Sequence, residues 1–425
     1  MRIEALLLAF AVAQPALAQP ANAQPATVVV SPDGPVRTIA EGVRRAAPGG
    51  RVLVRRGTYR EPTVVVDRPL TLEGEGWPTL DGEGARELLR VTADRVTVRG
   101  LRFANVGRSY TEDRAALRVV RASGCNIAGN RFDDAFYGVY LAEVTDCRVT
   151  GNRLVAHATS EAASGNGIHL WSSRDVLVAD NDVRGHRDGI YFEFVRHGRV
   201  ERNVSAGNLR YGLHFMYSDS SRYLANTFRA NGAGVAVMYT RQVEMRGNRF
   251  EAARGASAYG LLLKEIGDPV LADNAFSDNT VALMADGATR LVVEGNRFAR
   301  NGWAVQLQAN TQDARFAGND FLANTFDVAT NARDAGATFA ANYYDGYRGY
   351  DLDRDGRGDV PHRPVRLFSL LVANHEPSLV LLRSFFVDLM DAAERVIPAL
   401  TPETIADARP AMRPHGAGPR GALAR

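Results

Sequence analysis

An asparagine recurs through the middle of this chain at a near-constant interval, and that periodicity restricts the fold more than any other feature. Asn130, Asn152, Asn181, Asn203, Asn226, Asn248, Asn274, Asn296, Asn319 and Asn342 are separated by 22, 29, 22, 23, 22, 26, 22, 23 and 23 residues. Both long intervals hold a polar insertion, around residues 158–164 and 254–257. Within each unit the apolar residues alternate, as in strands. Ile127, Val149, Val178 and Val200 stand three residues before the Asn; Phe132, Leu154, Val183 and Phe228 stand two after it, with Ser205 an exception. A Gly-apolar strand follows, at Gly138, Gly167, Gly189, Gly212, Gly234 and Gly260. Such a unit buries its inward face only against neighbouring copies, so the repeat predicts an all-β, right-handed parallel β-helix whose asparagines stack as an amide ladder. A leucine-rich repeat of similar period needs a Leu-x-x-Leu-x-Leu pattern that is absent.

The flanks divide the remainder. Residues 1–23 open with Met1-Arg2, an apolar stretch from Ala5 to Ala13 and small residues before Gln, the pattern of a cleaved secretory signal. Residues 24–345 form the β-helix, with a short capping helix predicted from Thr38 to about Ala47. Residues 346–364 are an acidic loop, 365–405 a helical partner-docking segment, and 406–425 a Pro/Gly/Arg-rich tail expected to be disordered. Lys+Arg 51 against Asp+Glu 48 leaves +3, with no polybasic field for nucleic acid or anionic lipid.

In a β-helix, equivalent residues of successive coils lie ~4.8 Å apart, so chemistry collects in columns. In the strand after each Gly, the second position carries Tyr140, His169, Tyr191, His214 and Ala236. The fourth carries Trp171, Glu193, Met216, Met238, Lys264 and, with a slipped alignment, Met284; Tyr217 and Tyr239 sit just beyond. Both positions should face outward. Thioether and imidazole suit copper, particularly Cu(I), so His169, His214, Met216, Met238 and Met284 are candidate ligands. The plainer reading is a docking face built on Trp171, Tyr191, Tyr217 and Tyr239.

Cys125 and Cys147 are 22 residues apart and should be coil neighbours. Their column continues through inward positions such as Val176 and Val243, which favours buried small hydrophobes, then a disulfide, and a copper dithiol last. Asp351, Asp353, Asp355 and Asp359, with Gly356, resemble the start of a calcium loop, although position twelve is His362 rather than Glu. A structural calcium or a solvated turn are the alternatives. The amphipathic run from Leu379 to Val396 carries Leu382, Phe385, Phe386 and Leu389 on one side, suited to capping the solenoid and docking a partner.

Residues Thr38 to Gly82, the run Asp345-Gly346-Tyr347-Arg348-Gly349-Tyr350-Asp351-Leu352-Asp353-Arg354-Asp355-Gly356, Pro364-Val365-Arg366-Leu367-Phe368-Ser369 and Leu382 to Leu389 with Thr401 to Thr404 resemble periplasmic β-helix proteins of the NosD type. The resemblance implies a non-enzymatic accessory protein for maturation of nitrous-oxide reductase. It would work with an ABC-type membrane permease and its ATPase in assembling the copper–sulfide centre, alongside a copper chaperone lipoprotein. By the same resemblance, the C-terminal helices would dock on the permease and the β-helix would meet the chaperone or the apo-reductase. Two other readings compete with it: a carbohydrate-active β-helix enzyme, which needs clustered carboxylates that the outward columns lack, and a metal-free scaffold.

Overall fold

The computed structural model describes residues 26–109, 112–162, 164–255, 258–332, 336–382, 384–396 and 405–416. The expected signal segment, residues 401–404 and residues 417–425 lie outside the described residues. The chain is a parallel β-solenoid of three sheets, with 14, 13 and 12 strands, here sheets A, B and C. Each coil gives one strand to each sheet. In one coil, Arg199–Glu201 joins sheet A, Val204–Ala206 sheet B and Tyr211–Met216 sheet C. Equivalent residues of neighbouring coils are in register: Val200 faces Tyr223, Ser205 faces Phe228 and Leu213 faces Val235.

The asparagine ladder runs through the turn between sheets A and B, and it uses every polar atom of the amide. Asn203 Oδ1 accepts from the backbone N–H of Asn181 (3.0 Å) and from Asn181 Nδ2 (2.9 Å). Asn203 Nδ2 donates to Val178 O (2.8 Å) and to Asn226 Oδ1 (3.0 Å). These amides are buried, so each bond also avoids the ~1–3 kcal/mol cost of an unpaired polar group. Beside them the rings of Phe228, Phe250, Phe276, Phe298, Phe321 and Tyr344 stack with centroids 4.6–5.6 Å apart. Ser205 interrupts this ring column because its hydroxyl is needed elsewhere. It donates to Gly212 O at 2.7 Å and accepts from Asn208 Nδ2 at 3.0 Å. The glycine column has a steric cause, since a Cβ at Gly234 would stand 2.2 Å from Gly260 O in the next coil.

A second ladder, five residues after the first, was not anticipated. Asn208 Nδ2 donates to Asn231 Oδ1 (2.8 Å), Asn279 Nδ2 to Asn301 Oδ1 (3.1 Å) and Asn301 Nδ2 to Asn324 Oδ1 (3.0 Å). His186 and Ala253 occupy equivalent positions, and the His186 backbone N–H donates to Asn208 Oδ1.

At the N-terminal end, helix α1 (Ile39–Arg45) is capped by Thr38, whose hydroxyl accepts from Glu41 N. The other free N–H groups of the first turn are met from outside the helix. Glu61 accepts from Ile39 N and Ala40 N, while Glu41 pairs with Arg45.

At the other end, Val365 bridges to Val328 in sheet C, and helix α2 (Leu367–Asn374) places Phe368 and Val372 against Phe326. Helix α3 (Phe385–Val396) follows. No helix among the described residues is long and apolar enough to cross a membrane. Residues 405–416, all but the first of which fall in the tail expected to be disordered, instead return as a strap across the last coil. Asp407 bridges to Phe339 on one side and His362 on the other, and Ala411 bridges to Tyr343 and Arg357. Backbone pairing and the buried Ile405 and Asp407 hold this segment despite its Pro/Gly/Arg-rich composition.

Cys125 and Cys147 also differ from the favoured reading. Both are inward and buried, as their column requires, and they form a disulfide across adjacent coils with Cα atoms 4.5 Å apart. That spacing brings any two ladder-equivalent cysteines within bonding range.

Candidate functional site on sheet C

In Tyr211–Met216, Leu213 and Phe215 enter the core, so the pleat puts His214 and Met216 on the opposite face. The column through His214 reads Tyr140, His169, Tyr191, His214, Ala236, Leu262, Met284 and Gln306. The column through Met216 reads Trp171, Glu193, Met216, Met238, Lys264 and Asp286. Met216 and Met238 are therefore direct cross-strand partners beside His214.

The other two proposed ligands stand apart. Met284 belongs to the histidine column, three coils from His214, or about 14 Å at ~4.8 Å per coil. Its Sδ accepts from Gln308 Nε2 at 3.8 Å. Counting from the sequence slipped there because the coil has Ala282 where others have the marker glycine. His169 lies two coils from His214, with the Tyr191 ring between them.

Neither imidazole is freely exposed, contrary to expectation: His169 is 8% and His214 7% accessible. Rings cover them, with His169 stacked on Tyr140 (4.5 Å) and His214 held by Tyr191 (4.9 Å) and Tyr211 (4.7 Å). The two differ in what their ring nitrogens meet. Asn166 Oδ1 accepts from Arg187, which turns the Asn166 amide N–H toward His169 Nδ1 at 3.0 Å and occupies that lone pair. Burial, aided by Arg187, lowers the His169 pKa to about 3. His214 Nδ1 instead lies 3.8 Å from Asp188 Oδ2, and its Nε2 is buried with no hydrogen-bond partner. Burial raises the Asp188 carboxyl, but the neighbouring His214 ring and the two hydrogen bonds from Arg210 outweigh it and hold the group below the usual carboxylate range. Asp188 and Arg210 escaped the sequence reading because the acid precedes the glycine marker and the base lies in the adjoining turn. Tyr191 Oη contacts Met216 Sδ at 3.7 Å and Glu193 Oε2 at 3.5 Å, so it covers the thioether.

Just beyond Met216 and Met238, Tyr217 and Tyr239 stack at 5.2 Å, and Phe194 extends the stack by another 5.2 Å. All three rings are exposed, as is Trp171. Phe194 follows Glu193 as Tyr217 follows Met216, a register signal that would have found it. A groove of about 450 Å³ lined by Ser172, Arg174, Arg196 and Asp219 adjoins Phe194 and Tyr217. On α3 and just before it, Leu382, Phe385, Phe386 and Leu389 are exposed.

In the acidic loop, ligand oxygens of Asp351, Asp353 and Asp359 lie within 4.8 Å of one another. Asp355 is outside that group: Arg409, from the returning strap, takes its Oδ2 at 2.6 Å. Asp351 accepts from Asp355 N and Gly356 N, and Asp359 from Leu352 N, so backbone N–H groups already bind these oxygens.

Fold and face define a parallel β-solenoid protein whose sheet C carries Met216 and Met238 in register on its outer side. Solved structures with this architecture include an α-1,3-glucanase catalytic unit from Streptomyces thermodiastaticus (16% identity, 80% of this chain and 71% of that one, TM-score 0.56). Another is PfbA, a surface adhesin of Streptococcus pneumoniae (11% identity, 72% and 87%, TM-score 0.54). At such identities the likeness is one of fold. Residues 156–349 match the family model described as NosD, periplasmic copper-binding protein. The chain is 34% identical over 395 residues to the probable ABC transporter binding protein NosD of Pseudomonas aeruginosa, covering 88% of this chain and 91% of that one. It is 26% identical over 368 residues to the protein of the same name from Stutzerimonas stutzeri, covering 82% and 84%. The chain belongs to the NosD family, a periplasmic and copper-related family.

Proposed function

We propose that this protein is a periplasmic, non-enzymatic maturation factor that handles Cu(I) on sheet C and docks partners during assembly of the copper–sulfide centre of nitrous-oxide reductase. The observation that carries the copper role is the register-matched pair Met216 and Met238 beside His214, whose Nε2 has no other partner. Two thioethers and an imidazole form a soft, neutral donor set that favours Cu(I) over hard cations. Copper here is cargo, passed on rather than retained.

The exposed apolar side of α3 supports docking on an ABC-type permease with its ATPase, and the Phe194, Tyr217 and Tyr239 stack offers a surface for the copper chaperone lipoprotein or the apo-reductase. The names of the curated relatives support a transporter association. The acidic loop lacks the closing carboxylate of a calcium site and shares Asp355 with Arg409, so calcium has no part in the proposal. Enclosure of Asp188 and His214 argues against a polysaccharide-cleaving role, because neither group reaches a polymer lying on the surface.

Chelator competition tests the copper role. Cu(I) retention should fall at least tenfold in His214→Ala/Met216→Ala/Met238→Ala, and unchanged retention removes the proposed site. For docking, the permease and its ATPase should co-purify with the full chain and fail to do so with Phe385→Asp/Phe386→Asp/Leu389→Asp. Equal capture by both would place the docking surface elsewhere.

A further inference from the structure

We propose that Asp188 is a positioning residue that fixes the tautomer of His214 and thereby directs the Nε2 lone pair toward the metal; this rests on the copper reading above. Asp188 is fully buried and precedes the sheet C strand one coil before His214. Its Oδ1 accepts from Arg210 Nε (2.9 Å) and Tyr211 N (3.3 Å), and its Oδ2 from Arg210 Nη2 (2.5 Å). Arg187 Nε lies 3.9 Å away. The carboxylate is thus immobilised before the imidazole is considered.

Two groups face His214 Nδ1: Asp188 Oδ2 at 3.8 Å and Arg210 Nη2 at 3.5 Å. They favour opposite tautomers. If Nδ1 accepted from Arg210, the proton would sit on Nε2, leaving a buried N–H donor without an acceptor. If Nδ1–H points at Asp188, the unpartnered atom is a lone pair. Orphaned donors are the rarer and costlier of the two, so the neutral ring carries its proton on Nδ1, facing the Asp188 carboxylate. Metal-binding imidazoles are commonly held this way, with a carboxylate on the far nitrogen that orients the ring and raises its basicity. His169, whose Nδ1 faces an amide donor, has the opposite arrangement, which explains why only one imidazole of the column has a free lone pair.

The tautomer can be read directly from long-range ¹H–¹⁵N correlations of the His214 ring in the copper-free protein, assigned with His214→Ala. Nδ1–H is expected, and an Nε2–H ring overturns the proposal without needing a variant that folds. In Asp188→Asn, the His214 signature should shift and Cu(I) affinity by chelator competition should fall 10–100-fold, with an unfolding transition showing that the protein is folded. Wild-type affinity in Asp188→Asn, when His214→Ala has lost it, also overturns the proposal. If His214→Ala itself binds Cu(I) as the wild type does, the copper reading fails instead, and the tautomer measurement still decides what Asp188 does to the ring.

Discussion

Asp407 stands where an eleventh ladder asparagine would stand. Its Oδ2 accepts from the backbone N–H of Asn342 at 2.8 Å and from Asn342 Nδ2 at 3.1 Å, while its Oδ1 accepts from Ala341 N at 3.0 Å. The carboxylate thereby ends the ladder with an acceptor-only group, which an open ladder end requires, and ties the returning strap to the last coil. Asp407→Ala should destabilise the protein by about 2 kcal/mol, because it leaves buried N–H groups unpaired. Asp407→Asn should recover most of that loss. Denaturant unfolding measures both, and equal stability of Asp407→Ala and wild type would show that the ladder needs no cap.

The disulfide joins coils 22 residues apart. By the loop-entropy argument a cross-link of that span contributes roughly 3 kcal/mol. Reduction under native buffer, or Cys125→Ala/Cys147→Ala, should lower the unfolding midpoint accordingly while leaving the β-sheet circular dichroism intact. An unchanged midpoint on reduction would mean that the bond does not form in the folded protein.

Acid should weaken the fold. Burial lowers the pKa of His169 to about 3 and of His186 and His362 to about 4. In the unfolded chain these groups take a proton near 6.5, so below that pH the unfolded state binds more protons and stability declines. Each of the enclosed residues His169 and His186 should cost about 1 kcal/mol between pH 7 and 5.5. Asp327, raised to about 6 by burial, acts in the opposite direction but is outnumbered. His186 has neither ring nitrogen bonded and occupies a ladder position, so His186→Asn should flatten the pH dependence. A wild-type stability that is level from pH 7 to 5 contradicts this account.

The repeat made the fold legible because a solenoid writes its contacts into the sequence: residue k meets the equivalent residue one coil on. The pairing of Tyr191 with His214, and of Met216 with Met238, followed from counting. Counting failed where a marker was missing, as at Ala282, which displaced Met284. It also failed where chemistry depends on groups outside the columns. Asp188, Arg210 and Asn166 set the ring nitrogens of His214 and His169 from the turns before the strands; Asn166 and Asp188 share the position before the marker glycine, outside the outward strand columns. Burial of both histidines was legible in part, since Tyr140 and Tyr191, which cover them, stand in the same column, whereas Tyr211 opens the strand that carries His214. The strap at 405–416 shows that composition alone misjudges a segment whose backbone completes an existing ladder.

In the proposed copper role, Cu(I) rests on His214, Met216 and Met238. Copper-edge X-ray absorption of the Cu(I)-loaded protein tests it most directly. Copper should be bound by two sulfurs and one nitrogen, with sulfur lost in Met216→Ala/Met238→Ala and nitrogen lost in His214→Ala. A shell of nitrogen and oxygen alone, or one that these substitutions leave unchanged, would contradict it.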